Sequence, residues 1–151
     1  MEKRVGNILN VENGIIVHGC NNQGVWGAGL ALSIKRKYPE AYKLYRDEWE
    51  RRSGFNLGEV QFYFISYNKI ICNAITQENY GRDKRYVNYD AVRKAFEKIY
   101  PLAAIDNIPI HFPKIGCGLG GGDWNIVKNI IEEEINGHES YVWVLKEDEQ
   151  I

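Results

Sequence analysis

Two stretches of the 151-residue chain carry residue types that can handle an anionic ligand. The first reads His18-Gly-Cys-Asn-Asn-Gln-Gly-Val-Trp-Gly-Ala-Gly-Leu-Ala31, an apolar run that enters a glycine-rich loop and then a helical pattern. Glycines let a backbone approach an anion closely. The N–H groups of the helical turn that follows point at the anion with the helix dipole behind them. The second stretch, Pro113-Lys-Ile-Gly-Cys-Gly-Leu-Gly-Gly-Gly-Asp-Trp124, has the same arrangement, with five glycines in seven residues and Asp123 as an N-cap. One such loop could be a tight strand-to-helix turn with no ligand. Two of them at the carboxyl ends of strands in one largely parallel sheet would lie where open α/β folds bind ligands, and a diphosphate with two sugars could bridge them.

Two other phosphate-loop readings compete. Gly116, Gly118 and Gly121 fit G-x-G-x-x-G, but that fingerprint opens the first unit of a dinucleotide fold and is followed by further strands. Here one strand remains before the terminus. No Gly-Lys-Ser/Thr follows either loop, which excludes a Walker A motif.

The elements that must position these loops alternate between strand and helix, as in an α/β fold with crossover connections. Strands are expected at 4–9 and 14–21, the second with an apolar run at Ile15, Ile16 and Val17 that suits an interior strand. A helix over 28–38 ends on Lys35, Arg36 and Lys37 and is stopped by Pro39; a second runs over about 40–52. Strands over 60–67 and 69–75 form a hairpin. The segment 76–85 has no period. A helix over about 89–104, a strand over 109–115, a helix over 124–135 and a strand over 141–145 complete the chain.

Bulk properties bound the function. The length and a hydrophobic content of 44% suit one domain, residues 1–151, with one sizeable core. A net charge of −1 from 19 basic and 20 acidic residues, without a like-charge block, gives no extended nucleic-acid or membrane footprint. No apolar run approaches the roughly 20 residues of a membrane span, and residues 1–6 lack the apolar core of a signal peptide, so a cytosolic protein is expected. Cys20, Cys72 and Cys117 form no CxxC pair, and no His/Cys/Asp cluster has zinc-ligand spacing; neither a disulfide, a metal nor a cofactor is expected. Trp49 and Trp143 read as core or sheet-face aromatics. The basic run Arg82-Asp-Lys-Arg85 reads more readily as a solvated loop than as an anion-attracting patch.

Taken in order, Val5-Gly-Asn-Ile8, Ile16-Val-His-Gly-Cys-Asn21, Trp26-Gly-Ala-Gly-Leu-Ala31 and Pro113 to Trp124 resemble a macrodomain over nearly the whole chain. With the Lys-Tyr-Pro helix end and Tyr42-x-x-Tyr45, the chain resembles the branch of ADP-ribose 1''-phosphate phosphatases of yeast and phage type, and also the branch that removes ADP-ribose from proteins or DNA. The resemblance implies a three-layer α/β/α sandwich with a mixed central sheet, a metal-independent cleft and a monomer that takes a small ADP-ribose derivative. It places Asn7 and Ile8 at the adenine, where an Asn in place of the more common Asp makes recognition neutral rather than charge-assisted. It places Asn21 at the distal ribose and Trp26, Gly27, Ala28, Gly29 and Leu30 around the diphosphate and distal ribose. Gly116, Gly118, Leu119 and Gly120 close from the other side, and Tyr80 is a candidate wall.

Two departures bear on the chemistry the resemblance implies. Where ADP-ribose-removing relatives carry a nucleophilic lysine, this chain has Gln77, which cannot form that adduct; nothing in the spacing makes Lys84 a substitute. His18 replaces the first asparagine of the common segment, as in the phosphatase branch. If it faces the cleft, its imidazole could serve as general acid or base in transferring a terminal phosphoryl group to water; the competing reading is a strand-end histidine bonded to backbone. Asp123 could orient water or be only a helix cap. Loop N–H groups would meet the developing charge. Three functions follow: a phosphatase acting on ADP-ribose 1''-phosphate, a non-catalytic ADP-ribose reader, and an ADP-ribosyl hydrolase.

Overall fold

A computed structural model describes all residues, 1–151. The strands are β1 (Glu2–Val5), β2 (Gly14–Cys20), β3 (Val60–Ser66), β4 (Lys69–Ile75), β5 (Ile110–Phe112) and β6 (Ser140–Val144). The helices are α1 (Gly29–Lys37), α2 (Pro39–Arg52), α3 (Tyr89–Ile105) and α4 (Trp124–Ile135). The strands form one sheet in the order β1-β6-β5-β2-β4-β3, with every neighbouring pair parallel except β3 with β4. The antiparallel pair is the expected hairpin, and it makes the sheet mixed.

The first expected strand is cut short. Gly6 takes φ 130, and the Asn7 side chain accepts from the Leu9 N–H at 2.9 Å, which turns Ile8–Asn10 into a short 3-10 helix. The strand expected over 109–115 is confined to Ile110–Phe112, after which Pro113, which has no N–H to give a ladder, begins the second glycine loop.

Both faces of the central strand are covered, which is why β2 is buried at six of its seven residues and reads as a continuous run rather than an alternation. Ile15 and Val17 face a core shared with α3 and α4, including Phe96, Ile99, Val127 and Ile131. Ile16 and Cys20 face a second core with Ile34 of α1 and Ala41 and Tyr45 of α2. The result is three layers, α1/α2, sheet, and α3/α4. Side-chain caps begin α3 and α4: Asn88 accepts from Ala91 N at 2.9 Å and Asp123 from Asn125 N at 2.9 Å. No helix is long and apolar enough to cross a membrane.

Candidate functional site

Because β5, β2 and β4 are adjacent and parallel, the loops that leave their carboxyl ends converge. They enclose a cleft of about 640 Å³ lined by His18 to Asn21 and Val25 to Ala31, by Gln77 and Tyr80 to Arg82, and by Pro113 to Gly116 and Gly118 to Gly120. Trp26, Gly27, Ala28, Gly29, Leu30, Gln77, Tyr80, Gly116, Gly118, Leu119 and Gly120, predicted to hold ligand, all border it.

The first loop is shaped from outside by one face of α2. Tyr45 donates its hydroxyl to Asn21 O at 2.7 Å and accepts from Gly24 N at 3.0 Å. Tyr42 Oη and Arg46 Nη1 donate to Gly24 O at 2.9 and 3.0 Å, and Trp49 Nε1 donates to Asn22 O at 3.0 Å. Residues 42, 45, 46 and 49 share one helix face, so a single stripe captures the loop's carbonyls. Asn22 ties the loop to Phe55 by donating to Phe55 O at 2.9 Å and accepting from Phe55 N at 2.8 Å. In the sequence only Tyr42 and Tyr45 of this stripe stand out, and Trp49 reads as a core or sheet-face aromatic; it is the fold that turns Trp49 and Arg46 onto loop carbonyls.

With the carbonyls turned outward, the N–H groups of Gly27 to Ala31 donate to no backbone acceptor, and the Ala28 N-cap of α1 makes no side-chain cap bond. In the second loop, Gly122 N bonds Gly116 O at 2.8 Å and Tyr86 N bonds Gly120 O at 2.7 Å, while the N–H groups of Gly118, Leu119 and Gly120 stay unbonded to backbone. Two sets of unpaired donors therefore border one cleft, and unpaired backbone N–H groups require a ligand or water.

His18 borders the floor of the cleft, buried and already hydrogen-bonded. Alternation along β2 sends its ring to the α1/α2 face with Ile16 and Cys20, and it is 1% exposed. The register pairs it with Asn73 on β4, and its Nε2–H donates to Asn73 Oδ1 at 2.7 Å. Asn73 donates in turn to Gln61 Oε1 at 3.2 Å, and Gln61 to Glu48 Oε2 at 2.6 Å, so a chain of side-chain bonds runs across the sheet to α2. Trp26 packs edge-on against the imidazole at 4.7 Å between centroids. Burial holds the ring neutral by lowering its pKa to about 4, the Asn73 bond opposing this only in part. His18 thus packs against Trp26 as a neutral, hydrogen-bonded ring at the cleft floor, a state that favours support of the loop over proton transfer.

Asp123 is exposed, does not border the cleft, and spends its carboxylate on the cap of α4. Its helix-cap reading is the one the structure supports. Asn7 and Ile8 also lie off the cleft: Asn7 caps the 3-10 turn and Ile8 is 5% exposed within the α1/α2 core. Asn21 borders the cleft, but its amide is already used, accepting from Gln23 N at 2.9 Å and donating to Val25 O at 2.8 Å. Gln77 donates to Asn79 O at 2.8 Å, and Lys84 lies outside the cleft with its ammonium over Tyr86.

Two charged residues missed as ligand contacts do border the cleft, Arg82 and Lys114; no aspartate or glutamate does. The cleft is therefore an anion site by its donors and its charges alike. No three His, Cys, Asp or Glu side chains converge at metal-ligand distances.

Comparison with known proteins agrees with this geometry. The model of the Macro domain matches residues 17–131. The DNA ADP-ribosyl glycohydrolase of Thermus aquaticus is 30% identical over 145 residues, covering 92% of this chain but only 39% of that protein, so the chain spans well under half its length. The ADP-ribose 1''-phosphate phosphatase of Candida albicans is 26% identical over 132 residues, covering 82% of this chain and 83% of that one. A solved structure of a protein of unknown function from Bacteroides thetaiotaomicron superposes with a TM-score of 0.86 at 29% identity, over 96% of this chain and 97% of that chain. With sheet order, both glycine loops and the family match in agreement, the chain belongs to the macro domain family.

Proposed function

We propose that the cleft binds ADP-ribose or a close derivative and hydrolyses the terminal phosphate of ADP-ribose 1''-phosphate. The observation that carries the reading is the pair of unpaired N–H sets, Gly27 to Ala31 and Gly118 to Gly120, on opposite loops of one cleft. A linear diphosphate between two sugars is the class of ligand that uses both sets at once. The 26% identical relative from Candida albicans, matched over most of both chains, supports the phosphatase step.

In that step water attacks phosphorus, the bond from phosphorus to the ribose oxygen breaks, and the sugar hydroxyl takes a proton, leaving ADP-ribose and inorganic phosphate. Loop N–H groups stabilise charge on the transferring phosphoryl group. Since no carboxylate borders the cleft and His18 is neutral and engaged, the proton passes through phosphate oxygens or solvent rather than a side-chain base.

The same lack of a base favours a second reading, a binding module without turnover. Gln77 at the place of the nucleophilic lysine argues against removal of ADP-ribose from an acceptor. Phosphate release from ADP-ribose 1''-phosphate, measured in the presence of a chelator beside calorimetric binding of ADP-ribose, separates the readings. Release that survives in Asp123→Ala supports the phosphatase; binding without release gives the module; failure to bind ADP-ribose overturns both. Loss of release in His18→Ala with ADP-ribose binding retained would restore a catalytic role to His18.

A further inference from the structure

We propose that Arg82 is the specificity-determining residue that recognises a terminal phosphate on the ligand, selecting ADP-ribose 1''-phosphate over ADP-ribose. The inference rests on the reading of the cleft as an ADP-ribose site.

Arg82 belongs to a short charged run whose other members are all engaged with aromatic partners. Asp83 accepts from the Tyr86 hydroxyl, the Lys84 ammonium lies over Tyr86 at 5.3 Å, and the Arg85 guanidinium lies over Tyr89 at 4.5 Å. Arg82 has no carboxylate, aromatic or hydrogen-bond partner, and it alone of the four borders the cleft. The other cleft cation, Lys114, is neutralised by Glu149 at 3.0 Å. Arg82 is thus the uncompensated charge of the cleft.

Its segment is fixed to the phosphate machinery. Tyr86 N and Val87 N both bond Gly120 O, and Gln77 pairs with Val87 across the segment that carries Arg82. Gly81, the preceding residue, takes φ 158 beside the Tyr86 ring. A guanidinium presented from this segment, beside the unpaired N–H groups of Gly118 to Gly120, has the planar fork that pairs with two oxygens of a phosphate monoester. The diphosphate of ADP-ribose is served by backbone donors; the added dianion of a terminal phosphate calls for a full positive charge, and Arg82 is the one available.

The test is a competition assay against fluorescent ADP-ribose, read within seconds of mixing, comparing ADP-ribose with ADP-ribose 1''-phosphate for the parent protein, R82Q, R82K and K84Q. R82Q removes the charge from an exposed loop and leaves packing alone. The preference for the phosphorylated ligand is expected to fall about tenfold or more in R82Q, as for a lost charge-assisted pair, with ADP-ribose affinity itself little changed. R82K, with charge but no fork, falls between, and K84Q keeps the parent preference. An unchanged preference in R82Q, with ADP-ribose still bound, overturns the inference and leaves the reading of the cleft intact. A parent protein that does not bind ADP-ribose overturns the reading and the inference together.

Discussion

The two glycine loops face one another across the cleft, yet glycine serves them differently. In the first, Gly27 and Gly29 have open space where a side chain would begin, and the loop is held from behind by Tyr42, Tyr45, Arg46 and Trp49. In the second, an added Cβ at Gly116 would meet Val87 at 2.4 Å, at Gly120 the Gly116 carbonyl at 2.7 Å, and at Gly121 the Lys84 carbonyl at 2.8 Å. Only Gly118 is open. The first loop is packed only at Gly24, against Arg46 and Trp49, and is open at Gly27 and Gly29 beside the cleft; the second is self-packed, and most of its glycines belong to the fold. Packing demands glycine where the space beside it is full, and does not where it is empty.

The largest effect that tests this contrast is Gly116→Ala. A left-handed φ of 72 and the contact with buried Val87 together predict a loss of about 2–4 kcal/mol of stability, read by urea unfolding. A loss below about 1 kcal/mol would mean the loop yields easily and the contrast is false. Gly27→Glu sits at the opposite pole: room for the side chain and no positive φ leave the melting temperature unchanged. A carboxylate beside the unpaired N–H groups should then weaken ADP-ribose binding about 100-fold or more in calorimetry. Gly29→Glu is a poorer probe, because φ 59 there adds backbone strain to the electrostatic effect.

Tyr45→Phe sharpens the comparison with an intermediate effect. It strips one hydroxyl from a fully buried ring and leaves Asn21 O and Gly24 N without that partner, costing about 1–3 kcal/mol of stability. Affinity for ADP-ribose should fall as the first loop relaxes. Unaltered affinity at measurable destabilisation would show that α2 does not set the donor geometry.

The smallest effect near neutrality is acid sensitivity. His18 and His111 have pKa values lowered to about 4 in the folded protein, chiefly by burial, against 6.5 as the ordinary value. Between those values the unfolded chain binds protons that the native state refuses, so stability is complete above pH about 6.5 and declines toward pH 4. Melting curves across this window should slope downward with acid, and His18→Gln should flatten the slope; an equal slope in the variant would mean His18 is not held neutral.

Much of the fold was legible because each signal was local. The apolar run of β2, Pro39 after the basic end of α1, the cap at Asp123 and both glycine loops are properties of neighbouring residues. The boundary errors at 4–9 and 109–115 came from a left-turning Gly6 and from Pro113, punctuation that outweighed β propensity. Most of the ligand-loop residues expected from the resemblance border the cleft, while Asn7 and Ile8 sit outside it as a cap and a core position, a distinction that their order in the sequence does not carry.

The chain's sequence by itself determined the α/β alternation, the two donor loops and the family, since these follow from period, turn chemistry and motif order. Only the tertiary structure decided that His18 lies buried at the cleft floor, bonded to Asn73. β2 is covered on both faces, so alternation alone does not say which face opens to ligand. Only the structure, likewise, singled out Arg82 within a charged run, because partners on Tyr86 and Tyr89 are set by how a loop folds back and not by the order of its charges.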